Sequence, residues 1–318
     1  MVLKDYYIKD VREKRFTSVD VLTLVYIALT SIILAIYGPS MDHFPKLVLT
    51  RIIAVFIIGT LYGLAQLYPS RLTTMFRVVV VMLGLVLWYQ ELYYFCSQLP
   101  YKDHIFATAD WKLFGCQPSI EFSKHVTSVF WSEAFNLGYY SYYYIMFVVI
   151  IFYAIFRYDK ADKAQFIFLA SFFLYYIIYI FLPAAGPYYY FEAIGLDMAA
   201  SGNYPDLGYY FQTHHDMLPS EETGIFSQLV HDTQELGELP AAAFPSSHCG
   251  MTVVIMLLTW KSRNHWLFWL LMPLAILLCL ATVYIKAHYL VDSIAGILSA
   301  FIFYYITSFL YDALRSHI

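Results

Sequence analysis

Residues 244–250, FPSSHCG, form a short polar turn that leads directly into the apolar run 251–260. A second stretch of the same kind, KAHYLVD at residues 286–292, precedes another apolar run. Each stretch places one histidine, His248 or His288, at the start of a helix of about membrane-spanning length. We therefore expect the rest of the chain to hold these two helix starts together at one face of a membrane.

The composition is that of a polytopic membrane protein. Of the 318 residues, 60% are hydrophobic and only 13% are charged, and the mean hydropathy is +0.59. Such a chain has too few polar groups to cover a water-soluble globule. The formal net charge is -4 and there is no basic stripe, so we expect no nucleic-acid partner.

Hydropathy predicts the fold class. Eight apolar runs indicate an all-α polytopic membrane helix bundle of about eight spans, forming a single integral-membrane domain over residues 1–318. The first run follows a basic tail and lacks a small-residue cleavage pattern, so we interpret it as a retained span and not as a signal peptide. The predicted spans are 18–37, 46–68, 72–95, 139–157, 163–183, 246–260, 265–285 and 288–311.

The distribution of lysine and arginine predicts the orientation. With a cytoplasmic N-terminus, twelve of these residues fall on inner segments and five on outer segments, and positive charge favours the cytoplasmic side. We therefore expect both termini in the cytoplasm and the two histidine motifs on the outer, periplasmic or luminal, side. The inner residues include the tail side chains Lys4, Lys9, Arg12, Lys14 and Arg15, and the outer ones are Lys46, Lys102, Lys112, Lys124 and Lys286.

The segment before the first histidine motif is acidic. Residues 183–247 contain no lysine or arginine and nine acidic side chains, which favours an extracytoplasmic position. We predict an acidic outer loop over residues 184–243. Its carboxylates would either hydrogen-bond a polyol headgroup or simply be solvated, and the sequence leaves both readings open. They include Asp197, Asp206, Asp216, Glu221, Glu222 and Glu238.

Four cysteines, Cys96, Cys116, Cys249 and Cys279, lack the spacing of metal ligands. A bridge between Cys96 and Cys116 would require an oxidising compartment. We expect the cysteines to be unpaired.

The residues within the two motifs suit phosphate chemistry. His288 and Asp292 are four residues apart, so on one helix they would share a face and the carboxylate would orient the imidazole. Ser246 and Ser247 precede a helix whose free N–H groups and positive dipole end would cradle a phosphate beside His248.

Two further ionisable residues fall at a similar depth. Arg51 and Glu91 lie near the outer ends of their spans, where charged groups are costly unless they face a polar cavity or one another. The sequence therefore predicts a polar pocket that opens outward, and we include both residues among the candidates for substrate binding.

Other classes of function are open at this point. Two histidines and Asp292 would suit a metal site, but serines at a helix start suit phosphate better, so we expect neither a metal nor a cofactor. A lipid transporter without chemistry would carry inverted repeats and helices broken near the middle of the membrane, and the sequence shows neither pattern.

The two motifs resemble those of the type 2 phosphatidic acid phosphatase superfamily, whose members share Pro-Ser-x-His and a later His-x-x-x-Asp at the outer ends of two helices. The resemblance implies that His288 is the nucleophile, that Asp292 orients it, and that His248 is the acid and later the base. It also implies that Ser246 and Ser247 lie in the phosphate site. A core of six helices with added N-terminal spans fits that family.

The chain departs from that pattern in its cations. It contains no Arg-Pro, and it has Ala281-Thr282 where the common phosphatases carry Ser-Arg. We expect Lys286, two residues before His288, to replace the missing arginine, with Arg51 and the other outer lysines as fallbacks. An ammonium supplies a point charge and not a bidentate fork.

Two further segments, 110–119 (DWKLFGCQPS) and 183–187 (PAAGP), resemble the branch that contains inositol phosphorylceramide synthases. Asp110 is the first residue of the first segment, and we therefore include it among the residues expected to bind the substrate.

The resemblance implies a membrane lipid phosphotransferase. It would move a phosphorylated headgroup such as phosphoinositol from a phospholipid donor to a lipid hydroxyl such as that of ceramide, through a phosphohistidine. With water as the acceptor, the same residues would make a lipid phosphate phosphatase. The expected partners are these lipids and the bilayer, and the sequence indicates no oligomeric state.

Overall fold

The computed structural model describes residues 16–38, 41, 43–219, 224–237 and 239–316. Within these residues the chain forms fourteen α-helices and one short 3-10 helix, with no strand, which confirms the all-α class. The basic tail (Lys4, Lys9, Arg12, Lys14 and Arg15) and the loop carboxylates Glu221, Glu222 and Glu238 lie outside the described residues.

The helices follow one another with short connections, except across the acidic loop of residues 184–243. In chain order they are α1 (Ser18–Tyr37), α2 (Phe44–Leu67), α3 (Arg71–Cys96), α4 (Asp103–Phe114), α5 (Pro118–His125), α6 (Val129–Tyr140), α7 (Tyr142–Phe156), α8 (Tyr158–Phe181), α9 (Pro187–Ile194), α10 (Leu196–Ala200), α11 (Ile225–Gly237), α12 (Ser247–Lys261), α13 (His265–Tyr284) and α14 (Leu290–Ser316).

The described residues contain fewer membrane-length helices than the eight predicted spans. Six helices, α1, α2, α3, α8, α13 and α14, are long and apolar enough to cross a membrane, which supports an integral multi-pass protein. The predicted spans 139–157 and 246–260 correspond to α7 and α12, which have only 15 residues each. α7 is short because the helix breaks at Ser141, where α6 and α7 meet at a bend of 46°; taken as one broken span, this pair raises the number to seven.

Local side-chain caps explain where several of the helices begin. Thr17 and Asp20 form a capping box at α1, in which the Thr17 N–H donates to Asp20 Oδ2 across 2.7 Å. Ser70 accepts a hydrogen bond from Thr73 N at the start of α3, and Asn264 does the same for Leu267 N at the start of α13. Each cap satisfies an N–H group that has no partner within its helix.

α8 is the central helix of the bundle. In its most apolar 18-residue window, 78% of the residues are buried, as expected for a helix that is apolar on every side. It packs against α1, α3, α7, α12 and α14. It thereby joins the N-terminal helices to the group that carries the two histidine motifs.

Two arginines inside the N-terminal spans are paired with carboxylates. Arg77 of α3 forms a buried ion pair with Asp20 of α1. Arg51 Nη1 of α2 lies 2.9 Å from Glu91 Oε2 of α3, and both side chains are buried. Because an unpaired charge is costly among apolar helices, these pairs tie α1 and α2 to α3. Arg51 and Glu91 thus face one another.

The cysteines described here are unpaired, as expected. Cys96 at the end of α3 is buried, and its thiol donates a hydrogen bond to Tyr179 O across 3.2 Å. Cys116 is partly exposed in the turn before α5.

The two ends of this acidic loop, residues 184–243, meet. Ala184 and Ala242 form an isolated parallel bridge, and Ala243 N donates to Ala184 O across 3.1 Å. A second apolar cluster, separate from the bundle core, fills the space between this loop, α4 and the start of α14. Its buried aromatic members are Tyr101, Phe106, Tyr188, Tyr189, Tyr190, Phe191, Phe211 and Tyr289.

A glycine lets the start of α12 approach α14. A Cβ atom on Gly296 would overlap the backbone oxygen of Ser246. At the same crossing, Ser246 N donates a hydrogen bond to Asp292 O across 2.9 Å. The close approach therefore brings the two histidine motifs together.

We expect Gly296→Ala to destabilise the protein by about 1–3 kcal/mol, because the added methyl group has no space against rigid backbone. The measurement is thermal unfolding in detergent. Gly59→Ala in α2 is the matched control, since nothing lies within 4 Å of the position of its Cβ. Equal melting temperatures for the two variants would show that the crossing tolerates a larger separation.

Candidate active site

The first motif is held as a capped helix start. Ser246 is fully buried and its hydroxyl accepts a hydrogen bond from Cys249 N across 3.3 Å, so it acts as the N-cap of α12. Tyr179 Oη of α8 donates to Pro245 O across 2.8 Å and accepts from Ser247 N across 3.0 Å. The N–H groups of Ser247 and Cys249 are therefore already bonded within the protein, although we expected them to be available to a phosphate.

The second motif differs from its predicted geometry. α14 begins at Leu290, so His288 lies in the connection before the helix and does not share a helix face with Asp292. The reason is capping: Asp292 Oδ2 accepts a hydrogen bond from Tyr289 N across 3.0 Å. His288 N instead donates to Thr282 O at the end of α13, across 2.9 Å.

The two histidine rings face each other. His248 Nδ1 lies 3.2 Å from His288 Nε2. His288 Nδ1 lies 2.8 Å from Ala243 O and 3.7 Å from Asp292 Oδ2. A carbonyl oxygen can only accept, so this contact assigns the proton of a neutral His288 ring to Nδ1. The lone pair is then on Nε2, the nitrogen that faces His248.

Aromatic rings of α6 and α7 position His248. Its ring stacks on Tyr139 with 4.8 Å between the centroids, and the Tyr142 ring lies at 4.5 Å. The bend between α6 and α7 thus falls beside the histidine pair. His288 itself is 3% exposed, so its reacting face is shielded from bulk water.

The histidine pair opens onto a small cleft with a cavity volume of about 30 Å³, which is partly open to solvent. Among the residues that the structure describes, none that lines this cleft is a lysine, an arginine or a carboxylate. The lining consists of both histidines, aromatic rings and small apolar side chains: Tyr89, Tyr139, Ala185, Tyr188, Tyr189, Leu239, Ala242, Ala243, His248, Ala287 and His288.

The other candidates lie around this cleft at different distances from it. Lys286 has a positive φ of 62° and directly precedes Ala287, which lines the cleft. Asp110 is fully buried, and its two oxygens accept from Leu290 N and Val291 N across 2.8 and 2.9 Å. It therefore caps α14. The Arg51–Glu91 pair joins α2 to α3 and does not line the cleft.

Asp103 joins chain segments beside the cleft, and the sequence did not predict this role. It is 1% exposed, and its oxygens accept from Ala185 N, Gly186 N and the Tyr289 hydroxyl, across 2.9, 2.8 and 3.1 Å. It thus joins the turn after α8 to the residue that follows His288. The only local feature that marks Asp103 is its place as the first residue of α4. Its hydrogen-bond partners are 82 or more residues away in the sequence, so a local pattern does not reveal them.

Burial raises the pKa of both aspartates of α4, Asp103 and Asp110. It raises the pKa of Asp103 from 3.8 to about 6, against the lowering effect of its hydrogen bonds. It raises the pKa of Asp110 to about 6 in the same way. Both groups therefore bind a proton more tightly in the folded protein than in the unfolded chain.

We expect Asp103→Asn to remove part of the pH dependence of stability. Between pH 4 and 6 the unfolded carboxyl has lost its proton while the folded one retains it, so the stability of the parent protein falls as the pH rises. The two-unit shift corresponds to about 3 kcal/mol at most. Melting temperatures of both proteins from pH 4 to 7 test this. Parallel curves would contradict the assignment, because Asp110 is present in both.

The family relationship follows from comparison with known proteins. The PAP2 superfamily matches residues 103–306, a range that begins at Asp103 and includes both histidine motifs. No curated protein and no solved structure matches the chain. The matched range covers well over half of the sequence, from α4 into α14. The chain therefore belongs to the PAP2 superfamily.

Proposed function

We propose that this protein is a membrane lipid phosphotransferase that moves a phosphorylated headgroup from a phospholipid to a lipid hydroxyl, with His288 as the nucleophile. Membership of the PAP2 superfamily supports a phosphatase or phosphotransferase that acts on lipid phosphates. The observation that carries the proposal is the 3.2 Å contact between His248 Nδ1 and His288 Nε2 at the base of a cleft.

The first step is attack on phosphorus. The lone pair on His288 Nε2 forms the N–P bond while the bond from phosphorus to the leaving alcohol oxygen breaks. His248, which lies within hydrogen-bond distance of the reacting nitrogen, donates a proton to that oxygen as a general acid. The products are the free alcohol, diacylglycerol for a glycerophospholipid donor, and a phosphohistidine.

Ala243 O and Asp292 share the task of stabilising the charged ring. Phosphorylation at Nε2 leaves a proton on Nδ1 and a positive charge on the imidazole. Ala243 O at 2.8 Å holds the ring in the required tautomer, and the Asp292 carboxylate at 3.7 Å supplies the opposite charge. Asp292 stabilises the positive charge of the His288 ring more than it orients that ring, because its closer partner is Tyr289 N.

The second step reverses the first with another alcohol. His248, now without its proton, accepts one from the acceptor hydroxyl as that oxygen attacks phosphorus and the N–P bond breaks. A ceramide hydroxyl gives headgroup transfer, whereas water gives hydrolysis to a free phosphate ester. We favour transfer because residues 110–119 and 183–187 resemble the inositol phosphorylceramide synthase branch, with phosphoinositol as the headgroup.

Phosphate binding in this site differs from the arginine clamp of the common phosphatases. Thr282 stands where they carry arginine, and its hydroxyl lies 3.0 Å from Ser293 Oγ in a buried polar cluster. We assign the role of the cation to Lys286, beside the cleft, and keep Ser246 and Ser247 as the positioning residues of the α12 start. Arg51, Glu91 and Asp110 have no direct contact with phosphate in this mechanism.

The orientation belongs to the same proposal. We place the cleft on the outer side of the membrane and both termini in the cytoplasm, on the strength of the lysine and arginine distribution and the acidic loop over residues 184–243.

Replacing His288 by alanine should lower turnover of every phospholipid substrate by at least about a thousandfold, because the nucleophile is lost. The assay combines product formation with capture of an acid-labile phosphoprotein from a labelled donor. His265→Ala is the matched control, since this exposed histidine packs on Trp260 at the opposite end of α12. Full activity of His288→Ala would exclude a phosphohistidine at this residue, whereas lipid binding without turnover in the parent protein would favour a transporter.

The choice of acceptor is tested with purified protein and phosphatidylinositol, with and without ceramide. Transfer predicts diacylglycerol and a new phosphosphingolipid that both depend on ceramide. Release of a water-soluble phosphate ester at the same rate without ceramide would instead identify a hydrolase.

A further inference from the structure

One wall of the cleft comes from outside the family-matched residues. α3 ends at Cys96, before the match begins at residue 103. Nevertheless Tyr89 of α3 lines the cleft together with His248 and His288. A helix added to the family core therefore reaches the space in front of the reacting groups.

The chemistry of this lining suits the part of a lipid that adjoins its phosphate. Four phenol rings and five small or branched apolar side chains surround the two histidines. Apolar and aromatic surfaces bind hydrocarbon, while phenol hydroxyls offer hydrogen bonds to ester or hydroxyl oxygens. A lipid backbone with its first methylene groups has this mixture, whereas a free phosphate ester does not.

The outer end of α3 is also fixed to the outer loop. Gln90 Nε2 donates to Gly237 O across 3.1 Å, at the end of α11. Tyr93 Oη donates to Gln212 O across 2.8 Å and lies 2.7 Å from His215 Nε2. Contacts with the segment before α11 and with the last residue of α11 thus hold Tyr89 in a defined position, as a residue that selects a substrate requires.

We propose that Tyr89 determines specificity for the lipid substrate by packing its ring against the lipid backbone beside the transferred phosphate. This inference rests on the proposed function. It assigns to the N-terminal spans a role in substrate selection, in addition to their role in the bundle.

The test compares lipids with their deacylated counterparts. The substrate pairs are phosphatidylinositol with glycerophosphoinositol, both with ceramide present, and phosphatidate with glycerol 3-phosphate. We expect Tyr89→Leu to lower kcat/KM for the lipid of the active pair about tenfold, through loss of aromatic contact. The value for the deacylated partner should change less than about twofold, since that molecule lacks the contacting part.

Two further variants separate contact from positioning. Tyr94→Leu removes a tyrosine from the same helix that does not line the cleft, and it should leave both substrates unchanged. Gln90→Leu keeps the Tyr89 ring and removes the bond to Gly237. Because that bond also helps to position Tyr89, we expect a smaller loss that is again confined to the lipid. If the loss exceeded that of Tyr89→Leu, the loop and not the ring would decide specificity, and the inference would be wrong.

The remaining outcomes are also decisive. An equal loss on lipid and deacylated substrate, or no loss on either, would overturn the role of Tyr89 while leaving the proposed function intact. If the parent protein turned over neither lipid, the proposed function would fail first, and the inference with it.

Discussion

A single backbone hydrogen bond joins the two histidine motifs: Ser246 N donates to Asp292 O across 2.9 Å. It forms only because α12 and α14 cross at Gly296 without an intervening side chain. The contact between His248 and His288, the bond from His288 to Ala243 O and the position of Asp292 all depend on that crossing. The geometry of the histidine pair and the packing of α12 on α14 are therefore one constraint.

Carboxylates surround the second motif where cations would be expected. Asp103, Asp110 and Asp292 all accept backbone N–H groups at the start of α14 or in the turn before α9. Each stabilises a chain segment next to the cleft, and none of them lines it. Their negative charge would oppose the binding of a phosphate, so the balance of charge depends on the helix dipoles, the histidines and Lys286.

The sequence predicted the fold class and the convergence of His248 and His288, because hydropathy and local motifs carry that information. It did not predict that α14 begins at Leu290, two residues after His288. A spacing of four residues is compatible with a shared helix face, but the capping of Tyr289 N by Asp292 starts α14 after the histidine. Ala243 O and Asp103 were missed because their partners lie 45 and at least 82 residues away in the sequence. The pairing of Arg51 with Glu91 was one of two arrangements left open, and only tertiary contacts decide between them.

The length of α12 has a consequence for the surrounding bilayer. A helix of 15 residues rises only about 22 Å, some 8 Å less than the thickness of a hydrocarbon core of about 30 Å. His248 is the second residue of this helix, so in the proposed mechanism, with α12 as a span, a lipid phosphate reaches it by sinking below the headgroup plane or where the bilayer is locally thinned. Either displacement carries an elastic cost that grows with acyl-chain length. The proposed mechanism therefore makes the thickness of the host membrane a determinant of the reaction rate, alongside the identity of the headgroup.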